Sequence, residues 1–193
     1  MKLSAGLKCA ALAALMLPSM ALAQAFDEAP KVQAEANSDS AASVSASMDV
    51  AAPPAVVFAT LRDCDHATDF MPKLISCKVI DRGPGDRWEV REHVLKGGLF
   101  QPRMRNVFRI TFDAPNTISF RRVAGDWKKS QGVWRLTPLA GGKATHVTYH
   151  TEVAVNAPVP MSMVRSAVAK GMPEAMIALR RECEARAGRE KSS

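Results

Sequence analysis

From Trp88 onward the sequence repeats one pattern: short runs in which apolar residues return at every second position, each closed by Gly, Pro, Asn or Asp. RWEVREHVLKG sets Trp88, Val90 and Val94 on one face with Glu92 between them. PRMRNVFRITFDAP does the same with Met104, Phe108, Ile110 and Phe112, and NTISFRRVAG with Ile118 and Phe120, followed in step by Arg122. GVWRLTPL and THVTYHTEVAV, the latter carrying Tyr149, continue the series. Alternation at period two gives each strand one face for a core and one for water, and connections this short join only antiparallel neighbours. The chain must therefore build one antiparallel meander and then find something to cover its apolar face.

The cover is at the C-terminus. In PMSMVRSAVAKGMPEAMIALRRECEARAG the residues Val164, Val168, Met172, Ala175, Met176, Leu179 and Cys183 fall at helical steps of three and four, so the spacing predicts one amphipathic helix from Met161 to about Arg186. Pro173 lacks an N–H and should kink this helix or restart it. Methionine adapts to irregular space, and Met161, Met163, Met172 and Met176 crowd here. Such a stripe suits a lid over an apolar cavity and equally a helix closing a dry core. Before the meander, SVSASMDV reads as a half-buried strand. AAPPAVVFATLRDC reads as a short helix started by Pro53 and Pro54, DHATDFMPKL as a second short helix bearing Met71, and ISCKVIDRG as a strand ending at Gly83, Pro84 and Gly85. Strands on one side and helices on the other make an α+β domain.

The first 23 residues have the form of a secretory signal peptide: Lys2 and Lys8, an apolar run, and small residues that place cleavage between Ala23 and Gln24. Export, most simply to a periplasm, is the expectation. Residues 24–42, rich in Ala, Ser, Glu and Gln, read as a disordered tether; residues 43–187 read as one domain, and 188–193 as a disordered tail. Losing Lys2 and Lys8 lowers the formal charge from +7 to +5. A basic exported domain can touch an anionic membrane peripherally, while export argues against nucleic acid as a partner. Of the four cysteines Cys9 leaves with the signal. Cys64 and Cys77 are near in sequence in a compartment that permits disulfides, so they are expected to pair and leave Cys183 free.

Little in the sequence speaks for catalysis. His146 and His150 share a strand face about 13 Å apart, too far to bind one metal ion together. Asp63, Cys64 and His66 lack the companion spacing of a metal site. No nucleophile stands beside an evident base, and no cofactor motif is present. If Glu92 and Arg122 both point inward, they could pair with each other or with the polar head of a ligand.

Certain strings carry a resemblance: Ala52, Pro53, Pro54, Val57, Phe58 and Leu61 followed by Asp63; Phe70, Met71 and Pro72 before Val79; and Gly125, Asp126, Trp127 and Lys128, then Gly132, Trp134, Leu136 and Pro138, ahead of Gly141, Gly142 and Thr145. Together with the element order they resemble the START-like or polyketide-cyclase superfamily, most closely its coenzyme Q-binding START-domain group. The resemblance implies a helix-grip fold, in which a curved antiparallel sheet with two short helices holds an apolar cavity beneath the long C-terminal helix. It also implies that a lipid, quinone or polyketide-like molecule binds there. Met71, Trp88, Val90, Glu92, Met104, Phe108, Ile110, Phe120, Arg122, Tyr149, Val168, Met172, Met176 and Leu179 are the expected lining. The expected protein is a monomeric, exported, non-catalytic carrier. A cyclase or dehydratase using Glu92 or the Tyr149 phenol, and an interaction module with a filled core, are the alternatives.

Overall fold

The computed structural model describes residues 26–38, 41–97, 103–155 and 161–192; the signal segment and its cleavage site at Ala23 and Gln24 lie outside them. Its eight strands are β1 (Lys31–Ser38), β2 (Ala41–Val50), β3 (Leu74–Arg82), β4 (Trp88–Leu95), β5 (Met104–Asp113), β6 (Thr117–Gly125), β7 (Trp127–Leu139) and β8 (Ala144–Val155). They form one sheet in the order β1-β2-β8-β7-β6-β5-β4-β3, with every neighbouring pair antiparallel. Helices α1 (Pro54–Arg62) and α2 (Ala67–Phe70) lie between β2 and β3, and α3 (Met161–Lys191) follows β8. This is the antiparallel meander that the alternation and the punctuation predict, in the helix-grip arrangement that the resemblance implies.

Local chemistry accounts for the turns that matter. Pro53 and Pro54 start α1, where a missing N–H costs nothing, and the Pro53 carbonyl accepts from the Val56 and Val57 N–H groups. Cys64, at the turn after α1, is disulfide-bonded to Cys77 on β3 with the Cα atoms 5.4 Å apart, which ties the small helices to the sheet edge; Cys183 is free and buried.

Two boundaries differ from expectation. The stretch read as a disordered tether contains β1, which pairs with β2 from Lys31 opposite Ser47 to Ala36 opposite Ala42. Val32 of β1 packs on the core, and Arg180 of α3 donates to the Glu28 carbonyl at 2.8 Å. Composition concealed this strand because an edge strand draws its order from the backbone ladder of its neighbour and needs few large apolar side chains of its own. The tail is also shorter than expected, because α3 runs to Lys191. There Arg186 and Arg189 both pair with Glu182, at 2.7 and 3.3 Å. The helix continues through Pro173 and does not restart at it.

The core lies where the second half of α3 meets α1 and the sheet. Met176, Leu179, Cys183 and Ala187 join Val56, Val57 and Phe58 of α1, Ala46, Met48 and Val50 of β2, and Val147 of β8. Met176 is 1% exposed and Cys183 0%, so this part of the stripe is close-packed. Met176 and Leu179, expected to line a cavity, are core residues instead; Met172, one turn earlier, is only half-buried. A close-packed interior resists added volume, so Met176→Trp should destabilise the fold by about 1 to 3 kcal/mol. Chemical denaturation would measure this, and an unchanged midpoint would show unfilled space beside Met176.

Candidate functional site

Arg91 shows which face of β4 looks toward the helices. Its guanidinium donates to the Leu61 and Arg62 carbonyls at the end of α1, pairs with Glu89, and lies over the Phe112 ring. Both Glu89 and Arg91 are buried, at 4% exposure each. Arg91 thus caps α1, supplying donors and positive charge where the last carbonyls of a helix lack partners. Burial draws its pKa down from the ordinary arginine value, and the Glu89 carboxylate opposes that shift.

With Glu89, Arg91 and His93 inward, the expected register of β4 is wrong by one residue, and a slip of one turns every side chain to the other face. Trp88, Val90 and Glu92 therefore lie on the outer face. Arg109 stacks over the Trp88 ring at 3.9 Å, and Glu92 pairs with Arg105 at 2.6 Å rather than with Arg122. The physical reason is the cap on α1: two charged residues face inward because a helix end waits there, so the apolar alternation marked the wrong side.

The other strands keep their expected faces. Phe108 on β5 lies opposite Arg91, Arg122 on β6 lies opposite Phe108, and Phe120 lies opposite Ile110. Rings then cross the concave face in an unbroken series. His93 meets Phe108 edge-on at 5.6 Å, Phe108 meets Phe120 at 5.9 Å, Phe120 stacks on Tyr149 at 6.0 Å, and Tyr149 meets Trp134 at 4.3 Å. Phe120 and Tyr149 belong to strands separated by β7, and Gly132 lets them touch. A Cβ at Gly132 would come 2.7 Å from Phe120 Cζ and would collide with the His150 carbonyl oxygen, so only glycine leaves the Phe120 ring its place over β7.

Phe108, Phe120, Trp134, Tyr149 and Met172 all remain half-buried although they pack against the core from the inward side. The contacts of α3 fall chiefly on β1, β2, α1 and α2. These inward rings, carried on β5 to β8 outside the strands that α3 chiefly contacts, keep uncovered surface and form an apolar floor. Of the remaining expected lining, Ile110 is in the close-packed core, Met104 is half-buried, Met71 is exposed, and the side chain of Val168 lies outside the described residues. A groove of about 330 Å3 opens on the outer face, where Lys31, Ser45, Arg135 and His150 line it together with apolar Val133 and with Tyr149 of the ring series.

Sequence reasoning missed His93, Asn106 and Trp127 as inward polar groups. The Gly-Asp-Trp-Lys string holds two of them in place. Gly125 has φ +108°, and a Cβ there would strike the Arg105 carbonyl and sit 2.7 Å from Asn106 Cα. The Asp126 N–H donates to the Arg105 carbonyl at 2.8 Å, the Asp126 carboxylate accepts the Arg105 N–H at 2.7 Å, and the Trp127 N–H donates to Asn106 Oδ1 at 3.3 Å. The turn after β6 is thereby fastened onto the start of β5. On the far side of the concave face, burial pushes the Tyr149 phenol up to about 12, which removes it from acid–base work near neutrality.

Burial, aided by the nearby Arg91 charge, lowers the His93 pKa from the ordinary 6.5 to about 4. The unfolded chain then binds a proton at His93 that the folded chain refuses between about pH 6.5 and 4, so stability should fall as pH falls through that window. The variant His93→Phe, which keeps an aromatic ring against Phe108, should lose this part of the acid destabilisation. Parallel pH-stability curves for the two proteins would show no difference in that window if His93 were exposed.

With this geometry in hand, comparison with known proteins is informative. Residues 50–180 match the profile of the family described as polyketide cyclase / dehydrase and lipid transport. Among curated proteins none matches the chain. Solved structures with the same fold include a START superfamily protein from Mycobacterium smegmatis, at 20% identity and TM-score 0.65, covering 76% of this chain and 97% of that one. Human STARD10 follows at 12% identity and TM-score 0.65, covering 90% and 82%. The Zhui aromatase/cyclase from a Streptomyces species is 17% identical with TM-score 0.62, covering 77% and 94%. The concave floor, strands β3 to β8, the two short helices and most of α3 lie within the matched span, and the chain belongs to the polyketide cyclase / dehydrase and lipid transport family.

Proposed function

We propose that this protein is a non-catalytic carrier that holds one hydrophobic small molecule on the concave face of its sheet, beneath α3. The observation that carries this reading is the half-buried ring series from Phe108 through Phe120 and Tyr149 to Trp134, inward-facing yet incompletely covered. Its family is one of lipid transport as well as of cyclases, and aromatic rings give a large apolar contact area that suits acyl chains, quinones and fused rings alike. A quinone, as in the coenzyme Q-binding group, is one member of that class. The signal-like segment before Gln24 supports action after export, in a periplasm. The formal charge of +5 left after Lys2 and Lys8 supports peripheral contact with anionic lipid during loading.

A carrier fits better than the cyclase alternative for a specific reason. Glu92, the acid that alternative needs, is on the outer face in an ion pair with Arg105, and the Tyr149 phenol holds its proton up to about pH 12.

The test is binding of a neutral apolar probe, methyl cis-parinarate, whose fluorescence rises in apolar surroundings. Saturable binding of one probe per chain is expected, and Phe120→Asp should weaken it by about tenfold or more by placing a charge among the rings. Mass spectrometry of organic extracts of the purified protein should show a co-purified apolar molecule. A protein that extracts clean and leaves the probe dark would be an interaction module with a filled core.

A further inference from the structure

The concave face ends in a corner of buried polar groups that the carrier reading leaves without work. His93 and Asn106 lie directly opposite each other on β4 and β5, Arg122 stands opposite the next inward residue of β5, Phe108, and Trp127 is bonded through its backbone to Asn106. In this corner Asn106 Nδ2, Arg122 Nε, Trp127 Nε1 and His93 Nε2 are all buried and have no hydrogen-bond partner among the described residues. Asn106 is 0% exposed. Its orientation is fixed, because Oδ1 already accepts the Trp127 N–H and the free atom must then be the NH2 donor.

Native interiors leave few such groups, because a buried donor without a partner gives up its hydrogen bonds to water and gains none in return. Of five buried, unpartnered side-chain atoms among the described residues, four fall here, the fifth being Arg180 Nε. Three of the four, on Asn106, Arg122 and Trp127, can only donate. Arg122 also brings a positive charge. One of its terminal nitrogens donates to the Gly125 carbonyl at 2.8 Å, and no described acid pairs with it. The nearest candidate by sequence pattern, Glu92, is turned to the outer face and held by Arg105. A corner of donors with an uncompensated cation asks for an oxygen-bearing anion, and the ring series begins at its edge, since His93 and Phe108 are in ring contact.

We propose that this corner recognises the carboxylate of an apolar acid, with Arg122 Nε, Asn106 Nδ2 and Trp127 Nε1 donating to its oxygens while the apolar body lies over Phe108 and Phe120 toward Tyr149. This rests on the carrier reading and narrows its ligand class from apolar molecules in general to apolar carboxylates. The carboxylate takes up donors that otherwise stay unpaired, and charge-assisted hydrogen bonds to an arginine are the strong kind. Neutral esters and alcohols offer weaker acceptors and no charge, so they leave the corner partly unpaired.

The test compares cis-parinaric acid with its methyl ester, and 1-pyrenebutyric acid with its methyl ester, on the full protein above pH 7. The acid of each pair should bind about tenfold or more tighter than the ester. Asn106→Asp keeps the shape and the acceptor for the Trp127 N–H but replaces the free donor with an oxygen. Arg122→Met removes the charge. Each variant should bring the affinities for acid and ester close to each other, and thermal melts should confirm that at least one is folded. Preference for only one acid would say whether the carboxylate is carried on an acyl chain or on a fused ring system. Equal binding of acid and ester by the unaltered protein would overturn the head-group proposal and leave the carrier reading standing. An unchanged acid preference in a folded variant would overturn it as well. If no probe of either kind binds, the carrier reading and this proposal fall together.

Discussion

Everything distinctive about this molecule depends on where α3 is held. The second half of the helix is locked by Met176, Leu179, Cys183 and Ala187 against α1 and β2, and further fixed by Arg186 on the Asp63 carboxylate at 2.8 Å and by Glu184, which accepts the Ala51 N–H at 3.0 Å. That anchoring is apolar in its interior and charged at its rim. It seats the helix over the β1 and β2 end of the sheet, and the concave face from β8 to β5 keeps rings with free surface. Burial that favours folding at one end thus leaves binding surface at the other.

The polar residues of the concave face divide into two sets with different physical roles. Glu89 and Arg91 are fully used: they neutralise each other and cap α1, a structural duty that repays their desolvation. His93, further along β4, and Asn106, Arg122 and Trp127 on the next three strands each keep a buried polar atom without a partner among the described residues. The turn at Gly125 and Asp126 holds Asn106 and Trp127 rigidly, which costs backbone freedom and gives donors in fixed positions. Rigid donors without partners are a poor investment for stability alone, and a good one for recognition.

The resemblance in the Gly-Asp-Trp-Lys string acquires a physical meaning in this setting. Glycine is required because Arg105 and Asn106 crowd the space where a Cβ would go, aspartate because its carboxylate takes the Arg105 N–H near the start of β5, and Gly132 further on because Phe120 occupies the room above it. These are tertiary reasons, invisible in the string itself, for residues whose identity the string displays.

The antiparallel meander, the proline-started first helix and the apolar stripe of the last helix were all legible in the sequence, because each rests on local periodicity or on backbone chemistry within a few residues. So were the inward faces of β5 and β6, where the alternation is apolar apart from Asn106 and Arg122. What sequence could not supply was any assignment that hinges on a distant partner. The register of β4 depended on the carbonyls at the end of α1, about thirty positions away in the chain by count of sequence separation. The order of β1 depended on β2 and on Arg180. Which methionines of α3 are core and which border open surface depended on how far the helix extends across the sheet. Periodicity tells a chain which residues must leave water; only the folded sheet, with its helix ends and hairpins brought together, decides what each of them meets there.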